Sequence, residues 1–432
     1  MRWLWLIFAL AVLARISGQV ALSAYAHPRV FEYEEIATNL INGRGYTYAS
    51  PDGGTYVASQ SSPLYILLTA GVYLVTGHSQ PAMLLPQAVL GGLTAVLVAW
   101  AGRRAFSRSA GMVAGGLVAI DPGLVVYAAE LHSLSLDALA NVGLVCATLA
   151  LPARPGRARL AGLGAVFGLA GLTRATALLL LPVHLVWLRL HRGARLMSIG
   201  AAVAVLAMLL VYAAWPVRNS LLLGQLTLGS SETTEWLWRG NNPNANGGSL
   251  TPDGERMLAV APPAFRAEIE AASEAQRVRV YQAAAFEFIR ANPASASRLY
   301  VTKLLTFWWG SQETGLLYPP TWVIAYQVWY AAILLCAGLG MWSTRAVGEQ
   351  RGVVWLIVAT LVLVSLTQAI FYVEGRHRLA VEPLLLIVTG VGVADLATRV
   401  QCFWTRRVSS RDRRPPGGPR ARLRAAGCPR RP

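Results

Sequence analysis

Charged residues are scarce in this sequence, and their scarcity excludes an ordinary water-soluble protein. They make up 14% of the 432 residues, whereas hydrophobic residues make up 55% and the mean hydropathy is +0.45. A soluble chain would carry charge on about a quarter of its residues. The composition therefore predicts a membrane protein built from apolar helices.

Cysteine and lysine are also rare. The four cysteines have no metal-ligand spacing, and Cys146 and Cys336 lie inside apolar runs, so the sequence indicates neither a zinc site nor a disulfide framework. Lys303 is the only lysine, and arginine supplies the remaining positive charge. The net charge of +17 does not indicate a nucleic-acid partner, because the arginines form separate clusters between apolar segments rather than one basic face.

The arginine clusters predict how the chain crosses the membrane. Residues 2–17 form the first apolar run, which we interpret as a retained helix because no small-residue cleavage site stands out. The run Pro63–Thr76 is short for a span of roughly 20 residues, and we expect it to lie in the membrane interface. With that choice every later arginine cluster falls in the cytoplasm, whereas a true span there would invert everything downstream. The sequence thus predicts about ten transmembrane helices, with both termini cytoplasmic.

This topology divides an all-α polytopic membrane protein into parts. Residues 1–215 form an N-terminal membrane part that includes a first external loop at residues 21–80. Residues 216–320 form a long external loop with amphipathic helices, and residues 321–398 form the last three transmembrane helices. The arginine-, proline- and glycine-rich residues 399–432 are expected to be a disordered cytoplasmic tail. Abundant alanine and arginine suggest a GC-rich bacterial genome, and hence the inner (plasma) membrane of a bacterium.

The first external loop contains an acidic amphipathic pattern. Glu32 and Glu35 lie along the edge of an apolar helical stripe, and Gly43 provides a C-terminal stop. The stripe consists of five residues at helical spacing, namely Tyr33, Ile36, Ala37, Leu40 and Ile41. This pattern predicts a helix that lies flat on the membrane and holds carboxylates at the lip of a cavity. The alternative is a solvated loop whose charges keep it out of lipid.

Further polar residues fall at the predicted outer face of the membrane. Ionisable residues at membrane depth are costly and usually face a cavity or a partner. Asp137 and Arg174 are each surrounded by apolar sequence, and the alternative to a functional role is a structural ion pair or a snorkelling side chain. Arginines that face carboxylates suit a substrate that has a phosphate to be bound and a hydroxyl to be deprotonated.

The ordered segments of the chain resemble a known family. The runs FEYEEIATNLINGRGYTY, LTRATALLLLPV and GRHRLAVEPLLLIVTG are among those that look like the bacterial branch of the GT-C superfamily of membrane glycosyltransferases. That branch is related to the protein O-mannosyltransferases and to the lipid A aminoarabinose transferase. The resemblance extends from Arg2 to about Thr398. It implies a multi-helix membrane domain whose first external loop is rich in interfacial helices.

The resemblance also implies an activity. It predicts inverting transfer of a sugar from a polyprenyl-phosphate carrier to a hydroxyl of a glycan, lipid or protein acceptor, at the external face of the bilayer. Sugar nucleotides are not expected as donors, because the sequence has no glycine-rich phosphate loop and no Asp-x-Asp motif. No metal-binding residues are predicted, and a divalent cation is left open as a cofactor. The alternative function is a transporter or flippase, or an inactive scaffold, for lipid-linked sugars.

The family's site residues carry over unevenly. Arg29 and Val30 occupy the positions of an Asp-Glu pair whose aspartate is the usual base in relatives, and Ser61 occupies the position of a lysine that contacts the donor phosphate. We therefore predict Glu32 as the base, with Glu35 and Asp137 as further catalytic candidates. The predicted donor-phosphate ligands are Arg218, Arg376, Arg378 and Arg174. The residues predicted to line the acceptor side or the cavity are Tyr33, Glu130, Asn241, Asn242 and His377.

Overall fold

A computed structural model describes most of the chain, namely residues 2–49, 55–57, 63–191, 198–310 and 316–411. Within these residues the fold is helical except for one short antiparallel hairpin, in which β1 (Tyr48–Ala49) pairs with β2 (Thr55–Tyr56). The position of Ser61 lies outside the described residues.

The helices are numbered in chain order. Those of the first half are α1 (Arg2–Ala21), α2 (Glu32–Ile41), α3 (Pro63–Thr76), α4 (Leu84–Ala105), α5 (Arg108–Ile120), α6 (Pro122–Tyr127), α7 (Leu134–Ala150), α8 (Arg157–Gly171), α9 (Leu180–His191) and α10 (Ser198–Leu223). Those of the second half are α11 (Glu232–Gly240), α12 (Pro263–Ala271), α13 (Glu274–Ala291), α14 (Pro293–Trp309), α15 (Pro320–Thr344), α16 (Gly348–Gln368), α17 (Gly375–Leu379) and α18 (Glu382–Arg411). Short 3₁₀ turns at Gln80–Met83 and Ala175–Leu179 precede α4 and α9.

Six helices in the described residues are long and apolar enough to cross a membrane. They are Arg2–Ala21, Gln80–Ala105, Ile199–Leu223, Pro320–Thr344, Gly348–Gln368 and Glu382–Thr405. Four shorter apolar helices accompany them, at Pro63–Thr76, Arg108–Ile120, Leu134–Ala150 and Ala175–His191. The predicted all-α polytopic class is confirmed, whereas the number of crossings and the orientation of the termini stay predictions.

Glycines allow the membrane helices to pack closely. A Cβ atom on Gly392 of α18 would lie 1.9 Å from the carbonyl oxygen of Cys336, and one on Gly340 of α15 would lie 2.2 Å from that of Val388. No larger side chain fits at either position without separating α15 from α18. Small residues at helix contacts are the usual means by which membrane helices approach each other, because lipid tails leave little hydrophobic drive for association.

The predicted helix of the first external loop is present as α2. Tyr33, Ile36 and Ala37 are its buried residues, and they pack against Tyr65 and Ile66 of α3. The helix ends before Gly43, which has a φ of +73° that suits glycine. The apolar stripe thus faces protein, and the acidic residues of the first turn remain at its edge.

Two helices extend beyond the predicted boundaries. The sequence predicts that the long external loop starts at residue 216, but α10 continues through Pro216 to Leu223. The tail is predicted to start at residue 399, but α18 continues to Arg411 because no proline or glycine interrupts residues 399–411. Residues 412–432 of the predicted tail lie outside the described residues.

Candidate active site

A polar cavity of about 480 Å³ lies where the first external loop meets the segments that follow α10 and α16. Glu32 and Tyr33 of α2 form one wall, and Arg174 with the start of the following 3₁₀ turn forms a second. Arg376 and His377 of α17 form a third wall. The cavity therefore joins five of the residues that the sequence predicts, although they come from three distant parts of the chain.

The α11 helix contributes acidic residues to this cavity that the sequence did not predict. Glu232 and Glu235 both line it, and Glu235 pairs with Arg239 one turn later on the same helix. Arg256 also lines the cavity. The signal available in the sequence is the spacing of Glu232, Glu235 and Arg239, which puts their side chains on neighbouring positions of one helix face. That pattern alone does not reveal which surface the helix faces.

Asp137 lies behind Arg174 rather than on the wall of the cavity. Its side chain is 0% exposed, and its Oδ2 accepts hydrogen bonds from Arg174 Nε at 3.2 Å and Nη2 at 3.1 Å. Ser133 Oγ donates to the same oxygen at 3.1 Å. The catalytic role of Asp137 stays a prediction. Its carboxylate fixes the direction of the Arg174 guanidinium, which is the structural ion pair that forms the alternative to a functional role.

Arg376 is held by an acidic cap. Glu374 is the N-cap residue of α17, and its Oε2 forms a salt bridge with Arg376 Nε at 2.7 Å. Burial would lower the pKa of Arg376, but the adjacent carboxylate of Glu374 and nearby tyrosines raise it above its usual value. Arg376 is therefore a permanent cation in a fixed position. Its salt bridge to Glu374 uses Nε and does not involve the two terminal nitrogens.

An apolar groove of about 430 Å³ lies beside the polar cavity. Its walls come from α1, α6 and α15, and include Val125, Val126, Trp322 and Val323. Arg376 lines both this groove and the polar cavity. The groove thus offers an apolar surface that ends at a fixed positive charge, and the charge is shared with the polar cavity.

Two predicted glutamates lie outside the lining of the polar cavity. Glu35 accepts a hydrogen bond from the backbone N–H of Ala49 at 2.9 Å and so holds β1 against α2. Glu130 pairs with Arg29 at 3.2 Å and accepts a hydrogen bond from the Tyr318 hydroxyl at 2.7 Å. Glu35 thus links α2 to β1, and Glu130 links the segment before α7 to Arg29 and Tyr318. Neither glutamate lines the polar cavity.

Arg218 is also outside the polar cavity. Because α10 continues past Pro216, Arg218 lies on that helix, with its guanidinium 4.9 Å from the ring centre of Tyr46 and 5.1 Å from that of Trp215. That Arg218 binds the donor phosphate stays a prediction. Its guanidinium joins the first external loop to α10 through its contacts with aromatic rings.

Arg378 lines the apolar groove, but its hydrogen-bonding groups are used within the protein. Its Nε donates to Glu382 Oε2 at 3.1 Å, its Nη2 to the Tyr326 hydroxyl at 3.1 Å and its Nη1 to the Phe307 carbonyl at 3.3 Å. Glu382, which is 0% exposed, balances the charge of Arg378. Arg378 also connects α14, α15 and α18, and its assignment to the donor phosphate stays a prediction.

Replacement of Arg378 by methionine is expected to lower stability by about 3–5 kcal/mol, because it leaves the Glu382 carboxylate buried without its cation. The double variant Arg378→Met/Glu382→Gln is expected to recover most of the loss, since glutamine still accepts the hydrogen bond from Tyr326. Thermal unfolding in detergent measures both variants. If the double variant is as unstable as the single one, charge pairing is not the role of Arg378.

Asn241 and Asn242 follow α11 and donate hydrogen bonds to backbone carbonyls, and their place at the acceptor side stays a prediction. Asn241 Nδ2 donates to the carbonyls of Leu237 and Ile370, and Asn242 Nδ2 donates to that of Trp238. Lys303, which is 0% exposed, donates from Nζ to Asn241 Oδ1 at 3.2 Å and to the carbonyl of Gly240 at 3.1 Å. These contacts fix the C-terminal end of α11, and with it the cavity wall that α11 provides.

The buried Lys303 ammonium is expected to make stability depend on pH. Burial lowers the pKa of Lys303 to about 8, so between about pH 8 and the unfolded value near 10.4 the unfolded chain binds the extra proton. Stability therefore rises with pH in this window, by about 1–2 kcal/mol, relative to a Lys303→Met variant that cannot titrate. Unfolding of both proteins at about pH 7 and about pH 9.5 tests the difference. A difference that does not change with pH would contradict it.

No three histidine, cysteine, aspartate or glutamate side chains converge as a metal site within the part of the chain that the structure describes. Whether the protein uses a divalent cation as a cofactor is not tested by this observation and stays open.

Comparisons with known proteins bear on what kind of protein this is. Residues 60–216 match the family model described as dolichyl-phosphate-mannose-protein mannosyltransferase, and no curated protein matches the sequence. The archaeal oligosaccharyltransferase AglB from Archaeoglobus fulgidus, solved with an inhibitory peptide and a dolichol-phosphate, shares 12% identity and a TM-score of 0.50 over 96% of this chain and 52% of its own. The apo form of that A. fulgidus enzyme gives a TM-score of 0.51 at 12% identity, over 95% of this chain and 52% of its own.

A third solved structure is similar to this chain at a lower score. ArnT from Cupriavidus metallidurans, bound to undecaprenyl phosphate, shares 17% identity over 92% of this chain and 78% of its own, with a TM-score of 0.42. The chain spans about half the length of AglB, and at these identities the likeness concerns the fold. The resemblance seen in the sequence is confirmed at this level: residues 60–216 match the mannosyltransferase family model, and the chain is an all-α polytopic membrane protein whose fold is similar to that of AglB.

Proposed function

We propose that this protein is a membrane glycosyltransferase that moves a sugar from a polyprenyl-phosphate carrier to an acceptor hydroxyl at the external face of the bilayer. The observation that carries the proposal is the position of Arg376 at the junction of the apolar groove and the polar cavity. An isoprenoid chain fits an apolar groove between helices, and a guanidinium binds the phosphate at its end. The dolichol-phosphate bound to AglB supports this class of ligand.

The polar cavity supplies the groups for the transfer step. Arg376 and Arg174 stabilise the negative charge that grows on the lipid phosphate as it leaves the anomeric carbon. Glu32 accepts the proton of the acceptor hydroxyl as the oxygen attacks the opposite face of the sugar, which inverts the configuration. The new glycosidic bond forms as the sugar–phosphate bond breaks, the polyprenyl phosphate leaves, and the proton passes to Glu32. The acceptor is a glycan, a lipid or a protein.

The test is a comparison of the bacterial strain that produces the protein with a deletion strain. Mass spectrometry of lipid-linked sugars and envelope glycans should show one sugar missing from an acceptor, and its polyprenyl-phosphate donor accumulating. Restoration by the wild-type gene, but not by a gene that encodes Glu32→Gln, shows that chemistry is required. Accumulation of complete lipid-linked oligosaccharides, with no sugar missing, would instead favour a flippase.

A further inference from the structure

His132 and His377 reach the polar cavity from distant parts of the chain, and each ring has one nitrogen already occupied. The backbone N–H of Leu134 donates to His132 Nδ1 at 3.1 Å, and the backbone N–H of Glu374 donates to His377 Nδ1 at 3.0 Å. A nitrogen that accepts a hydrogen bond must carry the lone pair. In a neutral ring the proton is therefore on Nε2 in both histidines.

The surroundings keep both rings neutral. Their exposures are 3% for His132 and 6% for His377. Burial, together with the positive charges of Arg376 and Arg174, lowers the pKa of both histidines well below the ordinary value of 6.5. At neutral pH each ring is thus a donor at Nε2 and an acceptor at Nδ1, and the acceptor is in use.

The rings are also held in place. His132 packs edge-on against Phe31 and Tyr33, with ring centres 5.1 and 5.4 Å apart, and His377 packs against Tyr372 at 5.5 Å. Neither Nε2 has a hydrogen-bond acceptor among the residues that the structure describes. The two N–H groups are therefore preorganised donors without a described protein partner.

We infer that His132 and His377 form a pair of neutral donors that bind the oxygens of a phosphate ester between Arg174 and Arg376. The inference rests on the proposed function, which brings a lipid phosphate to this cavity. A phosphate oxygen only accepts hydrogen bonds, and these four side chains offer only donors to it. A sugar hydroxyl would also need an acceptor, which none of the four provides.

The same geometry excludes either histidine as the base. A general base needs an unoccupied lone pair that faces the proton it removes, but Nδ1 is occupied and Nε2 carries a proton. The two rings add directed hydrogen bonds to the phosphate without adding positive charge that would compete for Glu374 or Asp137. Deprotonation of the acceptor is left to a cavity carboxylate such as Glu32.

Asparagine and glutamine variants separate the two nitrogens of each ring. In His132→Asn and His377→Asn the amide oxygen can still accept the backbone N–H, but the side chain is too short to replace Nε2. In the corresponding glutamine variants an amide N–H can reach the Nε2 position. We expect each asparagine variant to weaken the binding of undecaprenyl phosphate by about tenfold, and each glutamine variant to weaken it by less than about threefold.

The binding measurement uses the full-length protein in lipid nanodiscs, with undecaprenyl phosphate as the probe and undecaprenol as the ligand that lacks the phosphate. His78→Asn is the matched control, since His78 pairs with Glu34 outside the cavity and asparagine tolerates its φ of +66°. Equal losses for both ligands, or asparagine variants that bind undecaprenyl phosphate as tightly as the wild type, would overturn the inference. If the wild type does not distinguish the two ligands, the proposed function itself fails.

Discussion

Replacement of Glu32 by glutamine is expected to reduce sugar transfer by about 10²–10⁴-fold, because the amide cannot accept the proton of the acceptor hydroxyl. Glutamine has nearly the same shape, so the cavity should keep its volume and the affinity for the lipid donor should change little. The measurement is single-turnover transfer with saturating donor, together with a separate donor-binding constant. A loss of turnover with unchanged binding assigns the role to proton transfer.

Two other glutamates provide the comparison for this variant. Glu35→Gln should retain activity, because its amide oxygen can still accept the hydrogen bond from Ala49 that holds β1. Glu232→Gln removes the charge of a second cavity carboxylate, which lies on α11 rather than on α2. If Glu232→Gln loses activity while Glu32→Gln keeps it, the base has been assigned to the wrong helix.

The parts of the structure that the sequence predicts correctly depend on local patterns. The stripe from Tyr33 to Ile41 defines both the length of α2 and the face that it buries. Apolar length alone delimits α3 at Pro63–Thr76. In each case the information lies within a few turns of one helix, so no knowledge of neighbouring elements is needed.

The site is only partly predictable, because it depends on which distant residues meet. Arg376 and Arg378 are two residues apart and look equivalent in the sequence, yet Arg376 lines both the polar cavity and the apolar groove, whereas Arg378 lines only the groove. The sequence places Arg218 at the start of the long external loop, but α10 continues past residue 218. Glu232 escapes prediction because nothing in α11 indicates that it faces α2.

Replacement of Arg376 is expected to have the second large effect, because this side chain is shared by the groove and the cavity. Arg376→Gln should raise the KM for the lipid donor and lower kcat by about 10²–10³-fold, since a donor to the developing phosphate charge is lost. Arg376→Lys should recover only part of this loss, because an ammonium keeps the charge but not the forked geometry of the guanidinium. Steady-state transfer kinetics over a range of donor concentrations separate the two parameters.

Loss of Arg376 also leaves Glu374 without its cation, which could lower activity by disturbing α17 rather than by weakening phosphate binding. The double variant Arg376→Gln/Glu374→Gln removes both charges and keeps an oxygen that can cap α17. If phosphate binding is the role of Arg376, the double variant should be stable but as inactive as the single variant. Recovery of activity in the double variant would show that Arg376 serves only to balance Glu374, and the lipid phosphate would then have to be bound elsewhere.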